Sequence, residues 1–372
     1  MHTLFEANWY TLHQTDQLNT PALVIYPQRV EHNIDQLLRM ALSVDHLRPH
    51  VKTCKSSQVI QLMQKAGLYK FKCATIAEAE LLGNCGATDV LLAYQPVGTN
   101  IERLMQLIAR FPKTSFSCLV DTIDVAKQLH QCASKNQLIL TVFIDVNVGM
   151  NRTGIAIDNV CQLSDQLVDF ASLKLKGLHV YDGHIHDTDI AERQRKCTHY
   201  LTSLAQVQRQ LESRLRRPLV LVIGGTPTFP IHAANPQMEC SPGTFVFWDK
   251  GYEKFIEQPF LPATLVITRV VSIINKHLLC LDLGHKAIAS ENELHKRVCF
   301  LNAPTAKAVS QSEEHLVIAV HDTECYAIGD IFYGIPYHIC PTVALYDEAI
   351  IVYPDQQLTH WTIEARKRKI TI

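Results

Sequence analysis

Between residues 47 and 250, short apolar, β-branched runs alternate with stretches of helical period. Nothing else in the sequence limits the fold as tightly, because such alternation calls for a parallel sheet covered by helices. The strand-like runs fall at 47–51, 71–74, 90–93, 116–120, 138–145, 175–180, 219–223 and 243–247. Helical period is clear in 56–66, where Val59, Ile60, Leu62, Met63 and Ala66 share a face and Gly67 supplies a stop. It is clear again in 99–110, with Ile101, Leu104, Met105 and Ile108 on one side and Thr99 as the expected N-cap. Eight such units in roughly 200 residues fit a (β/α)8 barrel. A doubly wound open sheet would carry a glycine-rich turn after its first strand, and RPHVKTCK has none.

Past residue 255 the pattern changes to strand-like runs at 264–274, 278–283, 297–301, 315–320 and 349–353, without long helical stretches between them. The expected organisation is a barrel over 20–255 and a mostly β C-terminal domain over 256–372. The leftover run at 22–25, with the residues before it, is expected to pack with the second domain. At 372 residues and 47% hydrophobic, the chain can bury two cores. Lys+Arg 35 against Asp+Glu 36 leaves a net charge of -1, so no basic stripe points to nucleic acid. No apolar run approaches the ~18 residues of a membrane span. No basic leader followed by an apolar run opens the sequence, and its 12 cysteines include no CxxC pair. Reduced thiols in the cytoplasm, mostly as small core residues, are expected.

In a barrel, chemistry sits beyond the carboxyl ends of the strands. Lys52 follows the first strand, where a partly desolvated amine can lose its proton and form a Schiff base. Arg152 lies among small turn residues after the fifth strand, and the sixth ends in Tyr181-Asp182-Gly183-His184. Gly224-Gly225-Thr226 follows the seventh, and Ser241-Pro242-Gly243-Thr244 opens the eighth. Turns of backbone N–H groups and hydroxyls at these last two positions suit a phosphate. A strand-end lysine and a phosphate cradle together suggest pyridoxal phosphate.

The segments RPHVKTCK, GMNRTG, GLHVYDGH, GGTP, SPGTFVFWD, DLGHKA, SEEH and PYHICPTV resemble, in matching order from about residue 20 onward, the D-threonine aldolase and D-serine dehydratase group. That group belongs to the pyridoxal-phosphate enzymes with the alanine-racemase type of fold. The resemblance implies a barrel, a C-terminal β domain and a homodimer with sites near the domain interface. It also implies that Lys52 carries the cofactor, that Arg152 and Tyr181 contact its ring, and that Gly225, Thr226, Gly243 and Thr244 surround its phosphate. Cys54 departs from the histidine that related sequences often have there.

His338-Ile339-Cys340 offers an imidazole and a thiolate at i and i+2, which share a face if the segment is a strand. Such donors suit Zn2+, with Mn2+ as the alternative, and the pair matches the metal pair of the resembled family. Weaker candidates are His184 and His186 in a solvated turn, Glu313, Glu314 and His315 in a charged loop, and Asp282 with Lys286. The resulting expectation is a metal-assisted lyase for 3-hydroxy D-amino acids, a small-molecule enzyme with no membrane partner. Retro-aldol cleavage of D-threonine-like substrates is placed ahead of D-serine dehydration to pyruvate and ammonia. An amino-acid racemase and a non-enzymatic pyridoxal-phosphate carrier are the further alternatives.

Overall fold

The computed structural model describes residues 8–13 and 15–372. The chain divides into two compact units that interleave along the sequence. One comprises 37–52, 60–243 and 367–372; the other comprises the segment ending at Gln36, 53–59 and 244–366.

The first unit is the barrel. Seven parallel strands follow one another in the sheet: Lys70–Cys73, Asp89–Leu92, Ser115–Val120, Leu140–Asn147, Leu173–Val180, Val220–Ile223 and Met238–Cys240. The ring closes through 47–51, where Leu47 bridges Cys240 and His50 bridges Lys72. Arg48 N donates to Cys240 O at 2.8 Å, and Lys72 N donates to Pro49 O at 2.9 Å. Pro49 has no N–H to give, which accounts for isolated bridges where a ladder was expected. Inside, Leu91, Leu119, Phe143 and Val222 form the core.

The expected eighth strand needs correction. The eighth position is filled by Met238–Cys240, whereas Thr244–Val246 is a 3-10 turn. Pro242 and Gly243 break the run, and Phe245, Val246 and Phe247 are apolar because they are buried. Periodicity alone cannot separate a short buried run from a strand. Thr99 also shifts: it is the first residue of the Thr99–Arg110 helix, and Gly98, at φ +57°, holds the cap. Gly67 does end its helix, at φ +95°.

The amino ends of the barrel strands carry a buried ion network. Arg48 pairs with Asp89 and Glu239, each at 2.8 Å, while Lys70 reaches Glu239 and Lys176 reaches Asp89, each at 2.7 Å. Every charge in it has a partner, so this end ties strands together. The opposite end is left for chemistry.

The second unit is a mostly β domain built on the twelve-residue strand Thr264–Asn275. That strand pairs antiparallel with Ala22–Ile25, Leu278–Leu281 and Ile331–Pro336. Ala22–Ile25 also runs parallel to Glu348–Val352. Val24, Leu265, Ile267, Tyr333, Ile335, Ile350 and Val352 pack as its core. None of the 12 cysteines is disulfide-bonded; five are buried, six half-buried and Cys325 exposed, so fewer are core residues than expected. No helix of the described residues is long and apolar enough to cross a membrane.

Candidate active site

At the carboxyl end of the barrel, three cations surround one aromatic ring. The Tyr181 centroid lies 4.9 Å from the Arg152 guanidinium carbon, 5.6 Å from Lys52 Nζ and 5.7 Å from Lys72 Nζ. Lys52 is placed by the turn after Val51, its amide donating to His50 Nδ1 at 3.2 Å. Arg152 sits on a loop fixed by Asn147, whose Oδ1 accepts from Gly149 N and Asn151 N at 3.0 and 3.1 Å. Asn151 takes φ +55°, a left-handed conformation that asparagine tolerates.

Beside this ring, the Asp145 carboxylate accepts from Thr153 Oγ1 at 2.9 Å and meets His179 Nδ1 at 2.7 Å. Burial lowers the pKa of His179 against the pull of Asp145. The imidazole is therefore neutral, with Nδ1–H donating to Asp145 and the buried Nε2 left without a partner. Lys72 is only 2% exposed. Burial, with Lys52 adding to it, lowers its pKa to about 7 despite Asp145 and Asp182 nearby.

Gly225, Thr226 and Gly243, from the two turns expected at a phosphate, lie together in the barrel unit, whereas Thr244 belongs to the β unit. Gly243 N donates to Thr226 Oγ1 at 3.1 Å, and Gly225 N donates to Thr228 Oγ1 at 3.3 Å. A Cβ at Gly225 would come 3.1 Å from the Tyr181 ring, so a larger residue there would press the ring aside by a few tenths of an ångström. Ser241 N donates to Ile223 O at 3.2 Å, and the buried Ser241 hydroxyl has no partner. An excess of cations, an orphaned hydroxyl and an orphaned imidazole nitrogen at one strand-end surface fit an anionic, phosphate-bearing cofactor. The amines, the guanidinium and the hydroxyl can donate to such an anion, whereas the neutral Nε2 of His179 can only accept from a protonated group.

Behind Tyr181, Asp182 is a hydrogen-bond hub. It accepts from Tyr200 at 2.8 Å and Thr228 at 2.9 Å, and meets His232 Nε2 at 2.9 Å. Asp182, Cys197 and His232 offer ligand atoms within 4.8 Å of one another, the geometry of a metal site. Burial, then Asp182, pushes the Cys197 thiol up to about 12, and the carboxylate is already fully engaged. Those facts suit a hub that braces the Gly224–Thr228 turn better than a metal centre.

In the β unit, His338 and Cys340 are brought together, although not as expected. The strand ends at Pro336; His338 is the extended N-cap and Cys340 lies in the short helix Ile339–Val343. The i, i+2 strand argument therefore does not apply, and a strand-to-helix junction does the positioning. Burial disfavours a charged imidazole, but the hydrogen bond and charge of Cys340, joined by Glu291 and Asp249, raise the His338 pKa to about 9. Cys340 Sγ lies 3.1 Å from Thr53 Oγ1 and 3.6 Å from Thr244 Oγ1. Glu291 engages His338 Nδ1, so an ion shared with Cys340 would be met by Nε2. A carboxylate holding the far nitrogen of a ligating histidine is the usual support of such a site. Imidazole and thiol donors backed by a carboxylate fit a borderline-soft divalent ion. Asp249, buried beneath this junction, accepts from Ile339 N at 3.1 Å and Tyr252 N at 3.0 Å.

The remaining candidates are spread elsewhere. His184 and His186 are exposed in their turn, and Cys54 is buried. Lys286 pairs with Glu313 at 2.6 Å and Glu314 at 3.1 Å on the surface. Asp282 accepts from Arg269 N at 2.7 Å, a structural use. A cavity of about 440 Å3 in the β unit, lined by Trp9, Tyr26, Arg29 and Tyr353, contains none of the expected site residues.

Residues 25–250 match the family model for the alanine racemase N-terminal domain, and 263–352 match the D-serine dehydratase domain model. The chain belongs to the alanine racemase N-terminal domain family. Among its relatives, a 3-hydroxy-D-aspartate aldolase of Paracoccus denitrificans (strain Pd 1222) is 25% identical over 369 residues, covering 94% of this chain and 92% of the relative. A D-threo-3-hydroxyaspartate dehydratase of Delftia sp. (strain HT23) is 26% identical over 243 residues, 62% of each chain. The crystal structure of D-threonine aldolase from Filomicrobium marinum superposes with a TM-score of 0.85 at 24% identity, covering 94% of this chain and 96% of that one. The alanine-racemase-type barrel with a mostly β second domain is thereby established for this chain.

Sequence reading passed over Lys72, His179, Asp249 and Glu291. Lys72 had a signal: a lysine inside the apolar run FKCA, on the side facing the same way as Lys70. His179 and Asp249 lay within quoted motifs, GLHVYDGH and SPGTFVFWD, but had no spacing rule to single them out. Glu291 meets His338 across 47 residues of sequence.

Proposed function

We propose that this chain is a lyase dependent on pyridoxal phosphate and a divalent metal, acting on 3-hydroxy D-amino acids. Its main reaction in this reading is retro-aldol cleavage of D-threonine-like substrates to glycine and an aldehyde. The observation that carries it is the trio of cations around Tyr181 at the strand ends, a surface suited to an anionic aldehyde cofactor. The relatives named as aldolases of 3-hydroxy D-amino acids supply the substrate class.

In this reading Lys52 would hold the cofactor through its amine. Arg152 and Tyr181 would orient its ring, and Gly225, Thr226, Gly243 and Thr244 would surround its phosphate. When bound, the cofactor supplies a sink for the electron pair left at Cα. His338 and Cys340 would hold the ion, Zn2+ ahead of Mn2+, which supplies Lewis acidity toward the substrate hydroxyl. A homodimer in a reducing cytoplasm belongs to the same reading.

Dehydration is the second reading, favoured by the D-serine dehydratase domain match and by the Delftia relative. A racemase or a cofactor carrier leaves the His338–Cys340 pair without a task. The test is to incubate the cofactor- and metal-loaded protein with the threonine and serine stereoisomers and quantify glycine, aldehyde, pyruvate and ammonia. Glycine and acetaldehyde from D-threonine, with L-threonine spared, is the expected result. Pyruvate from D-serine without glycine from D-threonine would move the reaction to dehydration, and equal turnover of both threonine enantiomers would refute the stereochemical assignment.

A further inference from the structure

Lys72 is the residue of the barrel least explained by folding. It sits on the strand Lys70–Cys73 and is 2% exposed. Its neighbour on the same face, Lys70, is paired with Glu239 at 2.7 Å. Among the described residues the Lys72 side chain makes no hydrogen bond and no ion pair; Nζ lies 5.7 Å from the centre of the Tyr181 ring. An amine buried without a partner is costly, and a methionine would fill similar volume without that cost.

The groups facing it do not remove the deficit. Asp145, on Leu140–Asn147, is taken by His179 and Thr153, and Asp182, beyond Leu173–Val180, by His232, Tyr200 and Thr228. Lys52 and Arg48 repel it from the segment that closes the ring. A second orphan belongs to the same cluster: His179, whose buried Nε2 has no partner, feels Lys72 and Arg152. A buried amine with no partner among excess positive charge suits an arriving anion, and the neutral Nε2 beside it is left to accept from a protonated group.

We propose that Lys72 is a second cofactor-facing lysine: it gives a hydrogen bond and a positive charge to an anionic oxygen of the bound cofactor, forms no covalent bond to it, and so sets both cofactor affinity and the acidity of the Lys52 linkage. This rests on the reading that Lys52 carries pyridoxal phosphate. Three consequences follow in opposite directions, which separates them from a structural role.

Without cofactor, Lys72 lowers stability. Its folded pKa, about 7, lies below the unfolded value of 10.5, so the unfolded chain binds more protons between these limits. Its contribution therefore makes the apo protein more stable as pH rises from about 7 to 10.5 and less stable below that window. An arriving anion restores the proton to Lys72, so affinity falls as pH rises above 7. The charge of Lys72 also opposes protonation at the Lys52 linkage.

The experiment compares wild type with Lys72→Met and Lys72→Gln, using pyridoxal phosphate as the probe. Lys72→Met apo protein should melt several degrees higher at pH 7 and lose the rise in stability between pH 7 and 10.5. Its cofactor Kd should weaken at least tenfold, and the visible absorbance of the linkage should titrate at higher pH than in wild type. Lys72→Gln, a donor without charge, should match Lys72→Met in the absorbance titration and hold the cofactor more tightly than it. Unchanged Kd and an unchanged absorbance titration in either folded variant would overturn the proposal. If wild type takes no label on Lys52 after borohydride reduction, the cofactor reading itself fails. If wild type is labelled there and Lys72→Met behaves identically, only the Lys72 inference fails.

Discussion

Lys52→Ala is expected to lower lyase turnover by about 10^4-fold or more, with the barrel intact. The size follows from what the amine does in the proposed reaction: it holds the cofactor and is the nearby base for substrate protons, roles that other groups replace poorly. Intactness follows from its surroundings. Lys52 is half-buried and makes no ion pair among the described residues, and its amide bond to His50 belongs to the backbone. Its removal should leave the closing bridges at Leu47 and His50 in place. Steady-state rates with matched far-UV circular dichroism check this. Turnover within tenfold of wild type would exclude Lys52 as the cofactor lysine.

Cys340→Ala is expected to remove the divalent ion and to reduce turnover by roughly a thousandfold, while cofactor absorbance persists. The thiol and the His338 imidazole are the donors, and loss of one from a two-residue site leaves too few ligands to retain an ion. Glu291→Gln should have a smaller effect, about 10–100-fold in metal affinity, because it only orients His338. Lys52, Arg152 and Tyr181, proposed to hold the cofactor, belong to the other unit, so chelation should leave the protein folded and the cofactor bound. Metal analysis of the purified variants, alongside activity, separates these cases. A Cys340→Ala protein with full metal content and full activity would remove the assignment.

Most of the barrel was legible because each strand–helix unit announces itself through local period. The failures have local causes too. Pro49 reduced the first strand to bridges, and the buried Phe245–Phe247 run imitated the last. Lys52, Arg152 and Tyr181 could be read as candidates because strand ends are where a barrel keeps its chemistry, and the structure places Lys52 and Arg152 beside the Tyr181 ring. His338 and Cys340 meet by a cap and a helical turn, a geometry that HxC does not encode. Lys72 escaped notice because its importance lies in lacking a partner. Partnership across a barrel is set by register between strands distant in sequence, as Asp145 and His179 also show. Single-sequence spacing cannot express it.

The most direct test of the account is the position of the cofactor on the chain. The protein is saturated with pyridoxal phosphate, reduced with borohydride, digested and mapped by mass spectrometry. The account predicts a pyridoxyl group on Lys52 and on no other lysine; a group on Lys72, or none on either, would contradict it.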